Sequence, residues 1–424
     1  MKVLIITYYW PPAGGSGVQR WLKFVKYLRD FDIEPVVYTV DSPNYVLADS
    51  SLESDVPDGI EVLKQPIWEP NNLFSLFETK KKTSAGFLNP NPSFFGKIAH
   101  YIRANYFIPD ARKFWIQPSI KYLSNYLKDH TIDTVITTGP PHSMHLIGMG
   151  LKEQLNIKWI ADFRDPWTEI DYFHQLPLTK HSLKKHQALE EKVLTKADAI
   201  IVVGKTMAAN FKKIANNVTV ITNGYDTTNL TADVPLDKNF SMVHVGLLNS
   251  DRNHRMLWQV LAELCNENAT FKVDLQLKFV GKVADDIIDS IEEFGLSSKT
   301  EFINYLPHAE VLAFQKSAQV LLLPINKVSS ANGIVTGKIF EYLQANRPIL
   351  AIAPRDGDLA EIIKETKAGA VVEFDDAETL KSEIVKLYTK FKNQTLKVSH
   401  TKIKQYHRKE LTSQLAELIK NINP

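Results

Sequence analysis

One cysteine, Cys265, stands in a chain of 424 residues, so no intrachain disulfide framework can form, and the composition suits a reducing compartment. Cys265 lies in an apolar-periodic segment and reads as a small core residue rather than a nucleophile. No apolar run approaches the roughly 18 residues that a membrane-spanning helix needs. The formal net charge is only +2, which gives no global reason to expect nucleic acid. The phosphate-loop pattern G-x-x-x-x-G-K-[ST] is missing as well. What is present is ordinary for a soluble globular protein: 44% hydrophobic and 23% charged residues, in a length that fits two domains. The opening residues 2–9 are too short for a secretion signal and too rich in β-branched side chains; they read as a buried first strand.

Short apolar runs alternate with amphipathic helical patterns throughout, the signature of α/β layers with parallel sheets. Strands are expected at 2–9, 35–40, 60–64, 134–138, 158–163, 199–203 and 218–222. A second series follows at 241–246, 274–281, 300–304, 319–325, 348–353 and 369–374. Helices are expected between them, for example at 18–28, 183–196, 255–266 and 380–391. The two series meet at an Asn-Gly turn near Gly224, followed by a polar stretch. The expected organisation is therefore a doubly wound N-terminal domain, 1–225, and a doubly wound C-terminal domain, 240–398. The remaining 399–424 carries a helix pattern with no strand after it and is expected to pack back on the N-terminal domain.

Residues 68–126 interrupt this rhythm. Between 80 and 121 eight basic residues, among them Lys80, Lys81, Lys82, Lys97, Arg103 and Lys113, face one acid, Asp110. Phe94, Phe95, Tyr101, Tyr106, Phe107, Phe114 and Trp115 crowd the later part. Such an insertion suits peripheral contact with an anionic membrane. The other reading is a helical lid whose aromatics pack on the sheet and whose lysines are solvated.

Two loops carry the chemistry. Residues 329–337 are mostly small, follow an apolar strand run and open a helix, so backbone N–H groups and the helix N-terminus together form an anion site. Lys338 adds a cation in the first turn, where it opposes the helix dipole unless an anion is bound. Glu341, one turn deeper, is placed to accept hydrogen bonds from hydroxyls. A diphosphate carrying a ribose suits this arrangement. The second loop follows the first strand and contains Gly14, Gly15 and Gly17. A dinucleotide fingerprint would need a third glycine where Arg20 stands, so the hydride-transfer reading fails there. What remains is either a loop that offers N–H groups to a phosphate or sugar, or a plain turn.

Taken together, these loops resemble the retaining family-4 (group 1) glycosyltransferases of the GT-B fold, in which two Rossmann-like domains face each other across a cleft. The likeness includes Asn223-Gly224-Tyr225-Asp226, Val245-Gly246 and residues 336–343. Residues 138–143 and 162–167 are similar to a bacterial subgroup associated with surface-polysaccharide assembly. The resemblance implies a nucleotide-diphosphate-sugar donor held mainly by the C-terminal domain and a glycan or lipid-linked acceptor held mainly by the N-terminal one. It implies work in the cytoplasm, peripheral at the inner face of the membrane. It also implies no cofactor, and no obligatory metal, since no carboxylate pair sits where one would be expected. Two positions depart from the family: Gly333 replaces the first Glu of E-x7-E, and Leu247 and Asn253 replace diphosphate-binding cations. Arg252, in preference to Arg255, is expected to supply that charge.

The candidate donor residues are thus Gly14, Gly15, Gly17, Arg252, Gly333, Ile334, Val335, Thr336, Lys338 and Glu341. The candidate catalytic residues are Lys338, His142, Asp162 and Asp165. His142 follows a strand end, where ligands of open α/β sheets bind. Asp162 and Asp165 flank Arg164 at the end of the next strand; one is expected to take an acceptor hydroxyl, or either pairs with Arg164 structurally. A nucleotide-sugar epimerase and a non-catalytic nucleotide-sugar-binding scaffold are the competing functions. A phosphorylase fits poorly, because Lys338 sits too close to the phosphate loop to carry pyridoxal phosphate.

Overall fold

The computed structural model describes residues 1–41, 45, 48–68, 94–170, 173–226, 234–304, 306 and 308–423. Lys80, Lys81 and Lys82 of the basic insertion lie outside them. The chain forms two compact units, Met1–Asn223 with Arg408–Pro424, and Gly224–His407.

The first unit is built on seven strands: β1 (Lys2–Ile6), β2 (Glu34–Asp41), β3 (Glu61–Pro66), β4 (Thr134–Gly139), β5 (Lys158–Phe163), β6 (Ala199–Val202) and β7 (Val218–Val220). All pair in parallel, in the order β3-β2-β1-β4-β5-β6-β7. Its first helices are α1 (Ser16–Leu28), α2 (Phe94–Tyr106), α3 (Ile116–Asp129), α4 (Ser143–Leu155), α5 (Lys180–Lys196) and α6 (Lys205–Phe211). Strand side chains alternate between two buried faces, which is why these runs are apolar without a break. Val3, Ile5, Val37 and Ile136 meet Trp21, Phe24 and Val25 of α1 on one face. Leu4, Ile6, Tyr38 and Val135 meet Ile120, Leu123 and Ile147 on the other. The later part of the insertion belongs to that second core: Trp115 is buried and stacks on Tyr38 with ring centroids 5.0 Å apart.

The second unit repeats the plan with six parallel strands: β8 (Phe240–Val245), β9 (Leu275–Val280), β10 (Thr300–Ile303), β11 (Val320–Pro324), β12 (Ile349–Ile352) and β13 (Gly369–Val372). Their order is β10-β9-β8-β11-β12-β13. The helices are α7 (Arg255–Glu267), α8 (Ala269–Asp274), α9 (Asp285–Glu293), α10 (His308–Ser317), α11 (Lys338–Ala345), α12 (Asp358–Thr366) and α13 (Ala377–Lys392). Cys265 is buried on α7, where burial pushes its thiol pKa up, consistent with an inert packing residue.

The last helix, α14 (Arg408–Ile422), lies along α1 in the first unit, with Leu411, Leu415 and Ile419 at four-residue spacing in the core. It starts later than the sequence pattern suggests. Lys402 adopts a left-handed backbone conformation (φ 54°), and Ile403–Tyr406 forms a short tight turn instead.

In each sheet the strand order reverses once, between β1 and β4 and between β8 and β11. Loops at the carboxyl ends of strands diverge at such a reversal and leave a crevice for ligands. Those two places are where the candidate residues collect.

Candidate active site

In the second unit, β8 ends at Val245 and the chain turns at Gly246, whose φ of +96° suits glycine. A Cβ there would come within 2.7 Å of Lys338 Cε, so the missing side chain is what lets the lysine stem lie over the turn. Lys338 starts α11, which has Gly337 at its N-cap and no side-chain cap. The first N–H groups of that helix are therefore not satisfied by a capping side chain. Beyond β11, Asn326 Oδ1 accepts a 2.7 Å hydrogen bond from Arg252 Nε, while Arg252 Nη1 donates to the Leu247 carbonyl at 2.9 Å. The guanidinium is thus pinned between the two strands that flank the reversal.

Lys338 is half-buried, and its ammonium has no hydrogen bond or ion pair among the described residues. Burial, with Arg252 adding repulsion, lowers its pKa from 10.5 to about 8, against a smaller upward pull from Glu341. His244, fully buried on β8, is held neutral near 3 by burial and then by Lys338. Two cations close together at an uncapped helix start make a site that an anion would complete. Glu341 lies one turn along, its carboxylate accepting from Gln315 Nε2 at 3.1 Å. The loop before α11 folds as a tight turn at Ala331–Gly333, with Gly357 packed against Asn332. Ile334 and Val335 pack on the core, so a ligand at this loop would meet their backbone rather than their side chains.

In the first unit, Gly14 and Gly15 lead into α1, and Gly15 takes φ +93° at its N-cap. Gly17 is crowded: a Cβ would lie 2.5 Å from Arg164 Nη1. That space lets Arg164 donate to the Gly17 carbonyl at 2.9 Å and also to the Gly139 and Pro140 carbonyls. Arg164 thereby ties the first turn of α1 to the chain ends of β4 and β5. His142, at the β4 end, is 8% exposed and stacks flat on Trp167 at 4.8 Å. Burial, reinforced by His145 and Arg164, drives its pKa well below 6.5, so the ring is neutral. Its Nδ1 has no hydrogen-bond partner among the described residues. Asp165 is half-buried beside Arg164, whose own pKa burial lowers while Asp165 raises it.

Asp162 departs from its expected role. Its carboxylate is fully enclosed and takes bonds from Arg20 Nη2 (2.8 Å), Trp21 Nε1 (2.8 Å) and Thr138 Oγ1 (2.8 Å). Its acceptor capacity is spent on core partners and no hydroxyl of a substrate can reach it. The cause is Arg20, also fully buried, which occupies the third-glycine position and binds the Ile221 and Thr222 carbonyls too. Burial pushes the Asp162 pKa up, but Arg20 and its other donors outweigh that and hold it below the usual carboxylate range.

The structure brings Arg252, Lys338 and Gly246 together, and separately groups Gly17, His142 and Asp165 around Arg164. Arg255 is exposed and paired with Glu293 at 2.5 Å. Sequence reasoning missed Asn326, His244, His145 and Trp167. Asn326 carried a signal, a polar residue closing the apolar run of β11. The histidines carried none, since burial is a tertiary property.

A family model described as "Glycosyl transferases group 1" matches residues 227–409, and one described as "Glycosyltransferase Family 4" matches residues 86–229. Sequence comparison finds no significant match among curated proteins. Among solved structures, the chain is similar to the lipopolysaccharide outer core galactosyltransferase WaaB in its apo form, at 14% identity and TM-score 0.60, covering 99% of each chain. It is similar to a TarM variant of S. aureus solved with Fondaparinux, alpha-GlcNAc-glycerol and UDP, at 12% identity and TM-score 0.56, over 100% of this chain and 98% of that one. It is also similar to UDP-GlcNAc 2-epimerase from Methanocaldococcus jannaschii, at 12% identity and TM-score 0.53, over 99% and 100%. At such identities these likenesses establish the fold alone. The two family matches overlap at 227–229 and together span residues 86–409, more than half of the sequence, and the chain belongs to the group 1, family 4 glycosyltransferases of the GT-B fold.

Proposed function

We propose that this protein is a retaining glycosyltransferase that moves a sugar from a nucleotide-diphosphate sugar to a glycan or lipid-linked acceptor in cell-surface polysaccharide synthesis. The observation that carries the reading is the half-buried Lys338, which has no hydrogen-bond or ion-pair partner among the described residues, at an uncapped helix start beside Arg252. The donor diphosphate supplies the missing charge. As the bond from the anomeric carbon to the phosphate oxygen breaks, negative charge grows on the leaving group. Lys338, Arg252 and the first N–H groups of α11 stabilise that charge without a metal. The acceptor oxygen attacks from the same face as the departing phosphate, which takes up the acceptor's proton, so configuration is retained. Glu341, oriented by Gln315, accepts from the ribose hydroxyls.

The acceptor side belongs to the first unit, where the neutral ring of His142, stacked on Trp167, offers a hydrogen bond to a sugar hydroxyl. With Asp162 enclosed, Asp165 is the carboxylate left to take an acceptor hydroxyl. The site works at the inner face of the membrane, where lipid-linked acceptors lie. Turnover without an acceptor would favour an epimerase, and nucleotide binding without any turnover a scaffold. Glu341→Ala tests the donor assignment: loss of a charged hydrogen-bond acceptor should weaken nucleoside-diphosphate binding by on the order of 10- to 100-fold in calorimetry. Unchanged affinity would remove Glu341 from the ribose site.

A further inference from the structure

Which ring nitrogen of His142 carries the proton decides whether that edge donates or accepts a hydrogen bond. The ring plane is set by Trp167, which stacks on it at an interplanar angle of 2° and is itself tied through Nε1–H to His186 Nδ1 at 3.0 Å. Stacking leaves the place of the proton open. His145, in the first turn of α4, bears on it. This residue is fully buried, with its ring 4.3 Å from that of Phe163, and its Nδ1 lies 2.9 Å from Thr137 Oγ1. The Thr137 hydroxyl already accepts from Trp159 Nε1–H at 2.9 Å. Its single proton has two acceptors to choose from, His145 Nδ1 at 2.9 Å and the Ile160 carbonyl at 3.5 Å. The second distance is too long for a good O–H···O bond, so the proton goes to Nδ1. Burial brings the His145 pKa down to about 3, with Asp162 pulling upward and Arg164 adding to the drop, so the ring is neutral. A neutral imidazole with a bare Nδ1 carries its proton on Nε2.

His145 Nε2 and His142 Nδ1 are both enclosed, and neither has a hydrogen-bond partner among the described residues. They face the same spot. A Cβ on Gly139 would lie 2.6 Å from the first and 3.1 Å from the second, so the glycine leaves room in which the two nitrogens meet. The Gly139 carbonyl is engaged by Arg164 through its backbone N and Nε. Buried polar atoms are rarely left unmet, and here one nitrogen is a donor while the other can accept.

We infer that His145 is a positioning residue: its Nε2–H is held toward His142 Nδ1 over Gly139, directly or through one water, and so keeps the His142 proton on Nε2, the edge left for a ligand. Trp159, Thr137, His145 and His142 then form a series in which each group donates to the next, and His142 donates to the ligand. The ligand atom at that edge is therefore an acceptor, a hydroxyl oxygen through its lone pair or an anionic oxygen. An ammonium group, which can only donate, is refused there. The inference rests on the proposed place of His142 at the acceptor, yet the position of its proton can be read in the free protein.

Nitrogen-15 NMR of the full chain, labelled in its histidine rings, tests this without substrate. The two signals are assigned by their loss in His142→Gln and His145→Gln. In the parent protein at neutral pH both rings are expected to show a protonated Nε2 and a bare Nδ1. His145→Phe keeps a ring against Phe163 but has no donor, so His142 should relax toward a mixture of its two tautomers. His145→Gln, whose amide returns an N–H near the lost Nε2, should restore the Nε2 form. A His142 proton on Nδ1 in the parent would overturn the inference, and so would a His142 signature unchanged in folded His145→Phe. Should His145→Phe fail to fold, the parent signature decides. In transfer assays the acceptor KM should rise by about fivefold in His145→Phe, the usual worth of one neutral hydrogen bond, and recover in His145→Gln, with nucleoside-diphosphate affinity unchanged in both. The expected tautomers with an unaltered acceptor KM would uphold the relay and remove His142 from the acceptor site, so the two failures are told apart.

Discussion

Each unit lodges cations at the point where its strand order reverses, and the two handle them in opposite ways. In the first unit Arg20 is fully buried against Asp162 at 2.8 Å, and every donor around that carboxylate comes from the core. In the second, Lys338 is half-buried near Arg252, with burial and repulsion bringing its pKa to about 8. The first arrangement is complete without a ligand and ties α1, β5 and the chain beyond β7 into one body. The second is left electrostatically open. A buried charge that is fully matched serves the fold, whereas one with no counter-charge among the described residues is what the proposed donor site rests on.

The largest effect that would test this contrast is on stability. Asp162→Ala leaves Arg20 buried without its partner and should cost about 3–5 kcal/mol in denaturant unfolding. Joint replacement of Arg20 by Met and Asp162 by Leu should cost less than the single change, because no charge is then stranded. A single variant as stable as the parent would break the contrast at its structural end.

Lys338→Ala should act on chemistry instead. Turnover is expected to fall by on the order of 100- to 1000-fold, the usual loss when one group stabilising transition-state charge is removed. Stability should hold or rise, because a poorly solvated ammonium disappears. Unfolding at the same cost as Asp162→Ala would show that both cations are structural.

A smaller effect, on pH, sharpens the point. The folded Lys338 pKa of about 8 lies below its ordinary 10.5, so between these values the unfolded chain holds the proton more tightly. Stability therefore gains as pH rises through that window, and the penalty is fully present below it. A bound diphosphate has the opposite effect, since it needs the protonated lysine. Nucleoside-diphosphate affinity should drop about tenfold between about pH 7 and about pH 9. In Lys338→Met that dependence should be flat; a parent protein with no such slope would contradict the anion-site assignment.

Most of the fold was legible in the sequence because parallel strands buried on both faces must be apolar throughout, and the loops between them cannot be. Every expected strand has its counterpart, within a few residues at the ends. The turn at 329–337 that opens α11 was legible for a similar reason: small residues between an apolar run and a helix pattern mark a break in the chain. Asp162 was not. Beside Arg164 and Asp165 it reads as one of three charged groups at a strand end, and nothing local says that its side chain points into the core. The alternation of β5 decides that, together with an arginine 142 residues earlier. Nor was the difference between Arg252 and Arg255 legible: Asn326 and the Leu247 carbonyl hold the first, and Glu293 pairs with the second.

The sequence by itself determined two parallel α/β units, the meeting of their strand series near Gly224, and the placing of small residues and one lysine where a helix begins. Those follow from backbone geometry and apolar periodicity, which act over a few residues. Only the tertiary structure decided which charges are matched and which are left open, because solvation and pairing depend on neighbours brought in from far along the chain.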